Sequence, residues 1–443
     1  CILYSTANIK GVSKMKKLLS KNLNNNIQII DIRDEEYYIG WKNSFGISGH
    51  IPNAIDFPIA WLDFDKDKLN LELKRKNIDK NKKTVIYSDE SITKEEYNKY
   101  INLGFTDLYI LNDGIKSYVK INKNLNKLKN YDMYVSPRWV QALLDDKNPE
   151  KYNGKTFKII EVSLPNEVNE YSSGHIKTAL NVSSDDINDN PGELNLDLYS
   201  NIDSSIADKF WQIPDNNKIK EVLENLGIDK DTLVILYGTE KATIACFRAA
   251  FIMEYVGVKN IKVINGGKKL WKLENRKLET KINISSKSNF GTIENKNSIL
   301  ITYDEELKLI NDENSVIASV RSIPEYMGKT TGYSYIDKLG DIKNSRFAHS
   351  GSNPYAMEDY RNIDNTLFNY EICKDRWEKW GITKNKKISF HCGTGWRASE
   401  AYYLAKALGY ENIGVYAGGW YEWIRKENSL IKKSGIPNDS PNL

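Results

Sequence analysis

Apolar residues in this chain come in short, β-branched runs, and segments with helical periodicity separate them. "TVIYS" (84–88), "LVILYG" (233–238) and "KISFHC" (387–392) are three such runs, each leading into a helical stretch. Runs of this length, bounded by turn residues, predict buried strands. Strand and helix therefore alternate.

Self-comparison shows that the alternation is a repeat. "LGFTDLYILNDG" (103–114), "VGVKNIKVINGG" (256–267) and "LGYENIGVYAGG" (408–419) share a glycine, a short turn, an apolar run and a second glycine ten residues after the first. Each predicts a helix C-cap, a buried strand and a turn. The closing glycines Gly114, Gly267 and Gly419 stand 153 and 152 residues apart, so the unit recurs almost in register. The fronts agree too. "IIDIRDEEYYIG" precedes "GHIPNAIDF", "IIEVSLPNEVNEYSS" precedes "GHIKTALNV", and "VIASVRSIPEYMG" precedes a diverged "GDIKNSRF", where Asp341 replaces the histidine of His50 and His175.

The pattern predicts an α/β fold of three tandem domains, each a mostly parallel sheet flanked by helices, with ligands where strands end and helices begin. Polar stretches at 122–136 and 281–298 place the domains at 1–130, 131–287 and 288–443. A length of 443 residues suits that division.

Composition narrows the partners. Sixty-three Lys plus Arg against 59 Asp plus Glu give a net charge of +4, so nothing demands a polyanion, and nucleic acid is not expected. Hydrophobic content of 40% with 27 Tyr and 10 Trp suits globular cores, and no apolar run is long enough to cross a bilayer. The chain begins at Cys1 without a Met, which resembles a bacterial lipoprotein cleaved at its lipid-bearing cysteine; truncation is the alternative. The expected location is extracytoplasmic, with membrane contact only through a lipid on Cys1; the alternative is cytoplasmic.

Four cysteines, Cys1, Cys246, Cys373 and Cys392, are too few for a disulfide framework, and no pair has the spacing of a zinc site. Cys246 falls in the helical "ATIACFRAAF" and predicts a core role. Cys373 reads as helical filler, with approach to Cys392 as a resolving thiol the alternative. Cys392 differs from both. It ends an apolar strand, and "GTGWR" follows it before a helix opens.

Backbone N–H groups in a glycine loop and a first helical turn lack intrahelical acceptors, so they converge on an anion held there. A thiolate is such an anion, and helix N-termini and nearby cations favour it. Gly393 and Gly395 let the backbone curl around the sulfur, Thr394 offers a hydroxyl and Arg397 a positive charge. The other copies have Ser88 and Gly238 at the matching strand end. Only the third carries a nucleophile.

"CGTGWR" after an apolar strand, the "GHI" segments and the "VYAGGWYEW" ending resemble the rhodanese (sulfurtransferase) family, in particular its three-domain bacterial members. The resemblance implies three rhodanese-like domains, the last catalytic. It makes Cys392 a persulfide carrier, with Gly393, Thr394, Gly395, Trp396 and Arg397 as its anion cradle. Arg321 matches the arginine after the first strand in family members, with structural and functional roles both open. Arg346 and His349, in a Gly/Ser/Asn stretch, are expected at the pocket's far wall or in a solvated loop. His391 is expected to be structural, since strand alternation turns its side chain away from that of Cys392. His50 and His175 look like loop-fixing residues.

The activity implied is thiosulfate sulfurtransferase: a small anionic donor gives sulfane sulfur to Cys392, which passes it to a thiol, cyanide or protein acceptor without metal or organic cofactor. Four residues separate Cys392 from Arg397, one fewer than in related phosphatases, and the shorter loop favours attack on sulfur. Two alternatives stay open. One is 3-mercaptopyruvate as donor; the other is a non-catalytic persulfide carrier or scaffold.

Overall fold

The runs Thr84–Tyr87, Leu233–Gly238 and Lys387–His391 are the central strands of three separate five-stranded sheets. The computed structural model describes residues 14–167, 169–189, 209–432 and 435–441; Cys1, with its expected lipid, lies outside them. Numbering the five strands of each sheet in chain order, all three run 1-5-4-2-3. Every neighbouring pair in them is parallel. A parallel sheet is covered on both faces, so its strands are apolar almost throughout. Val85, Ile86 and Tyr87, Val234 to Tyr237, and Ile388 and Phe390 are all fully buried. The third domain adds a short antiparallel pair, Asp341–Ile342 with Ile431–Lys432.

The closing glycines have one physical cause. Gly114, Gly267 and Gly419 have φ of 58°, 55° and 59°, and each packs where the loop leaves the central strand. A Cβ on Gly114 would lie 2.4 Å from the Ser88 carbonyl oxygen, and one on Gly419 would lie 2.5 Å from that of Gly393. Only glycine fits both the left-handed backbone and the space. The helix that starts there then donates backward: Ile115 N–H to Ser88 O (2.9 Å) and Trp420 N–H to Cys392 O (2.8 Å). The last strand and helix of the first and third repeats thus clamp the loop after the central strand.

Residues up to Lys127 form one compact unit, and Leu128 onward forms a second that holds the second and third sheets. Within the second unit, helix Thr243–Tyr255 lies along helix Trp396–Ala407, each being the helix that follows its own central strand. Phe251 meets Tyr402 edge-on at 5.2 Å, and Phe247 meets Tyr403 at 5.3 Å. Both helices are buried on nearly every side, which explains the mostly apolar run around Cys246.

Candidate active site

Cys392 follows strand Lys387–His391 and precedes helix Trp396–Ala407. The turn between them relies on Gly395 at φ 85° and on Gly393, where a Cβ would lie 2.3 Å from the Tyr333 ring. Helix Gly419–Trp423 holds the loop by its carbonyls: Trp420 N–H donates to Cys392 O, and Tyr421 N–H donates to Gly393 O at 3.0 Å. The amides are left over. Among the described residues, none of the backbone N–H groups from Gly393 to Ala398 has an acceptor. A loop with its carbonyls tied back and its amides unspent is built for an anion.

Cys392 is 1% exposed, and aromatic rings pack beside its loop. Tyr333 covers Gly393 and donates its hydroxyl to Pro354 O at 2.9 Å. Tyr335 stacks on Tyr333 at 5.2 Å, while Tyr355 and Tyr421 meet these rings edge-on at 5.4 and 5.7 Å. Burial pushes the Tyr333 and Tyr335 hydroxyls up, so both stay neutral. Trp396 reaches the second repeat, donating Nε1–H to Trp211 O at 3.1 Å.

Arg397, expected to hold the anion, is gripped by a carboxylate. Its two terminal nitrogens donate to Glu325 at 2.9 and 3.0 Å, with all partners buried. Burial pushes the Glu325 carboxyl up, but Arg397, with help from Arg321, overrides it and holds it at about 2. The charge of Arg397 is therefore matched before any substrate arrives.

Arg321 is bound as tightly. It donates to Gly340 O at 2.6 Å and to Asp341 at 3.0 Å, and it covers Trp420. In the first repeat, Arg33 makes the matching bonds to Gly49 O (2.8 Å) and Asp31 (2.7 Å). Because a repeat without a nucleophile has the same arrangement, it serves to fix the strand end. His391 belongs to this network: its Nε2 lies 3.0 Å from Asp341, which also accepts from Ser319 and Ser345. Burial raises the Asp341 carboxyl, and His391 and Arg321 bring it well below the usual carboxylate range.

Arg346 is not brought to the loop. Its guanidinium binds Asp439 at 2.9 Å and Ser440 at 3.1 Å, in an open groove lined by Asp312, Glu378 and Lys379 but by no residue of 392–397. His349 lies 3.7 Å from Asp359. His50 and His175 are buried, donate Nδ1–H to Tyr38 O and Tyr171 O at 2.8 Å, and stack on those same tyrosines. The thiol of Cys373 turns to Asp359 O at 3.6 Å, and burial drives the Cys246 thiol far up.

The residue that sequence reasoning missed is Arg248. It lies in helix Thr243–Tyr255 of the second repeat and is fully buried. Its Nε donates to Asn188 Oδ1 at 3.0 Å and one terminal nitrogen to Trp211 O at 3.3 Å. Among the described residues the other nitrogen has no hydrogen-bond partner, and it lies 3.1 Å from where a Cβ on Gly395 would stand. Burial pulls its pKa down to about 10, while Cys392 acts to raise it. The signal was available: Arg248 is the only charge in the apolar run 242–253. Lone charges inside buried helices are rare without a task.

The model of the Rhodanese-like domain matches three segments, residues 15–121, 136–274 and 302–426. The chain is 30% identical over 403 residues to the thiosulfate sulfurtransferase YnjE of Escherichia coli, covering 90% of this chain and 87% of that one. It is 26% identical to the sulfur carrier protein TtuD of Thermus thermophilus, across 66% of this chain and 93% of that one. Among solved structures, the anaerobic ergothioneine biosynthesis enzyme from Chlorobium limicola with trimethyl histidine superposes with a TM-score of 0.84 at 28% identity, covering 96% of this chain and all of that one. EanB with ergothioneine covalently linked to a persulfide cysteine gives the same TM-score, identity and coverage.

Proposed function

Because this chain belongs to the rhodanese family, with three copies of its domain, we propose that it moves sulfane sulfur from thiosulfate to a nucleophilic acceptor through a persulfide on Cys392. Relatives named as sulfurtransferases support sulfur transfer between a donor and an acceptor in general; the donor and the persulfide are the proposal. One observation carries it: the sulfur stands in a loop whose amides from Gly393 to Ala398 have no acceptor among the described residues.

The Cys392 thiolate attacks the outer sulfur of thiosulfate, a new S–S bond forms, and sulfite leaves with the electron pair of the old one. The acceptor then attacks the outer persulfide sulfur. With cyanide, thiocyanate leaves and the thiolate returns, so electrons balance without a redox partner. Loop amides stabilise the anion at each stage, where burial makes their dipoles count for more than in water. The test is intact mass after brief exposure to thiosulfate. One added sulfur on the native chain and none on Cys392→Ser is expected; sulfur on both, or on neither, overturns the proposal. Sulfur uptake without turnover to cyanide would favour the carrier reading, in line with the likeness to TtuD.

A second reading concerns the acceptor. Tyr333, Tyr335, Tyr355 and Tyr421 pack as one aromatic group beside the loop, a surface that suits a quaternary ammonium through cation–π attraction. The likeness to an enzyme solved with trimethyl histidine makes that compound the first acceptor to try. Release of its thiolated product from persulfidated protein would support this reading.

A further inference from the structure

We infer that Arg248, supplied by the second repeat although that repeat has no nucleophile of its own, is the cation that holds the sulfur-bearing anion at the Cys392 loop. The inference rests on the reading above only in taking Cys392 as the sulfur carrier.

Among the described residues, Arg248, Arg397, Tyr333 and Tyr335 each feel the charge of Cys392. The tyrosines are neutral. Arg397 and Arg321 share Glu325, and Arg321 also binds Asp341, so two guanidinium groups and two carboxylates behind the loop close among themselves. Arg248 stands outside that balance. Among the described residues its partners are an amide oxygen and a carbonyl, and no carboxylate pairs with it. A buried guanidinium without an anion is costly, and the cost falls away when an anion arrives.

Geometry aims it. Asn188 and Trp211 hold two of the three nitrogens, and the rigid fork then directs the free one toward Gly395. The chemistry needs such a charge: a thiolate attacking dianionic thiosulfate brings three negative charges into one buried loop, and amide dipoles alone supply no net charge. The pairing of helices Thr243–Tyr255 and Trp396–Ala407 is what delivers it. The second repeat keeps its fold because its helix carries the countercharge, while its own strand end, at Gly238, needs no nucleophile.

The test compares alkylation of Cys392 by anionic iodoacetate and neutral iodoacetamide in the full chain, resolved by peptide mass spectrometry at fixed pH and low salt. Access affects both reagents alike, so the rate ratio reads local potential, which a merely structural role would not move. The native ratio is expected to exceed that of N-acetylcysteine at least tenfold, to fall at least tenfold in Arg248→Gln, and to survive largely in Arg248→Lys. A native ratio no higher than that of the free thiol overturns the inference, even if the variants fail to fold. So does an unchanged ratio in folded Arg248→Gln, or a Cys392 that reacts with neither reagent. Because no donor or turnover is involved, failure of sulfur uptake from thiosulfate would count against the proposed function and leave this result standing.

Discussion

The first and third repeats use one frame for two purposes. Both have the 1-5-4-2-3 sheet, a closing glycine against the loop of the central strand, and an arginine bonded to the carbonyl of the segment opposite: Arg33 to Gly49, Arg321 to Gly340. The buried charges behind the frame differ. In the first repeat a carboxylate stands on the second strand as Asp31, Tyr87 on the central strand donates to it, and His50 sits in the "GHI" segment. In the third, the imidazole has moved to the central strand as His391 and the carboxylate to the segment as Asp341. Ser88 ends one central strand and Cys392 the other. Apolar pattern and glycine make the scaffold; local charge makes the site, and the two change independently.

The largest effect expected is from Glu325→Leu. It leaves Arg397 buried without its carboxylate, a loss of about 3–5 kcal/mol, read by urea denaturation of the full chain. Acid should trace the same bond. The Glu325 carboxyl is held at about 2, below the ordinary value of 4.5, so its stabilisation is complete above about pH 4.5 and fades as pH falls toward 2. Thermal melts across that window should lose this limb in Glu325→Leu. An unchanged acid limb would mean that the ion pair does not support the third repeat.

Strands, repeat and nucleophile were legible in the sequence because they are local: an apolar run, a glycine at fixed offset, a cysteine at a strand end. The partners of the arginines were not. Arg397 stands five residues from Cys392 in sequence, but its carboxylate is 72 residues earlier. Arg248 reaches the loop through a helix pair that no periodicity announces. Proximity in sequence favoured one guanidinium, and tertiary packing brought the other.

Gly419→Ala and Gly114→Ala sharpen the comparison from the scaffold side. Each forces a side chain into the left-handed region and against a carbonyl oxygen, costing about 1–3 kcal/mol. The stability losses should match. Sulfur uptake should fall only in Gly419→Ala, because there the displaced carbonyls belong to Cys392 and Gly393. Equal loss of uptake in both variants would show that the first repeat acts on the site.

Glu306→Gln is expected to act in the opposite direction. Glu306 is buried beside Ser389, which occupies a strand position held by Val85 and Ile235 in the other repeats. Burial raises its carboxyl to about 8, against the bond from Ser389. The folded chain therefore keeps a proton that the unfolded chain releases, so its contribution is full below about pH 4.5 and lost as pH rises to 8. A neutral amide removes that loss, which raises stability at pH 8 and changes it little at pH 4. Melting temperatures at the two pH values check it, and an equal shift at both would remove the titration from the account.

Ser88→Cys should do least, and it tests the comparison most directly. It places a thiol at the end of a central strand, with Ile115 N–H on the carbonyl of residue 88 as Trp420 N–H is on that of Cys392. If strand, clamp and thiol sufficed, the variant would take up a second sulfur from thiosulfate. The charges argue against that. Arg33, the guanidinium in the first repeat that matches Arg321, is committed to Asp31, Asp89 and Gly49 O, and its pKa rises because the carboxylates, Asp31 foremost, outweigh burial. No glycine pair follows residue 88; the loop reads Asp-Glu-Ser and adds two negative charges where Cys392 has Gly-Thr-Gly. A dianionic donor meets repulsion there. Intact mass after thiosulfate should therefore show one added sulfur in Ser88→Cys, as in the native chain, and a second would mean that the frame itself, rather than the charge brought to it, makes the nucleophile.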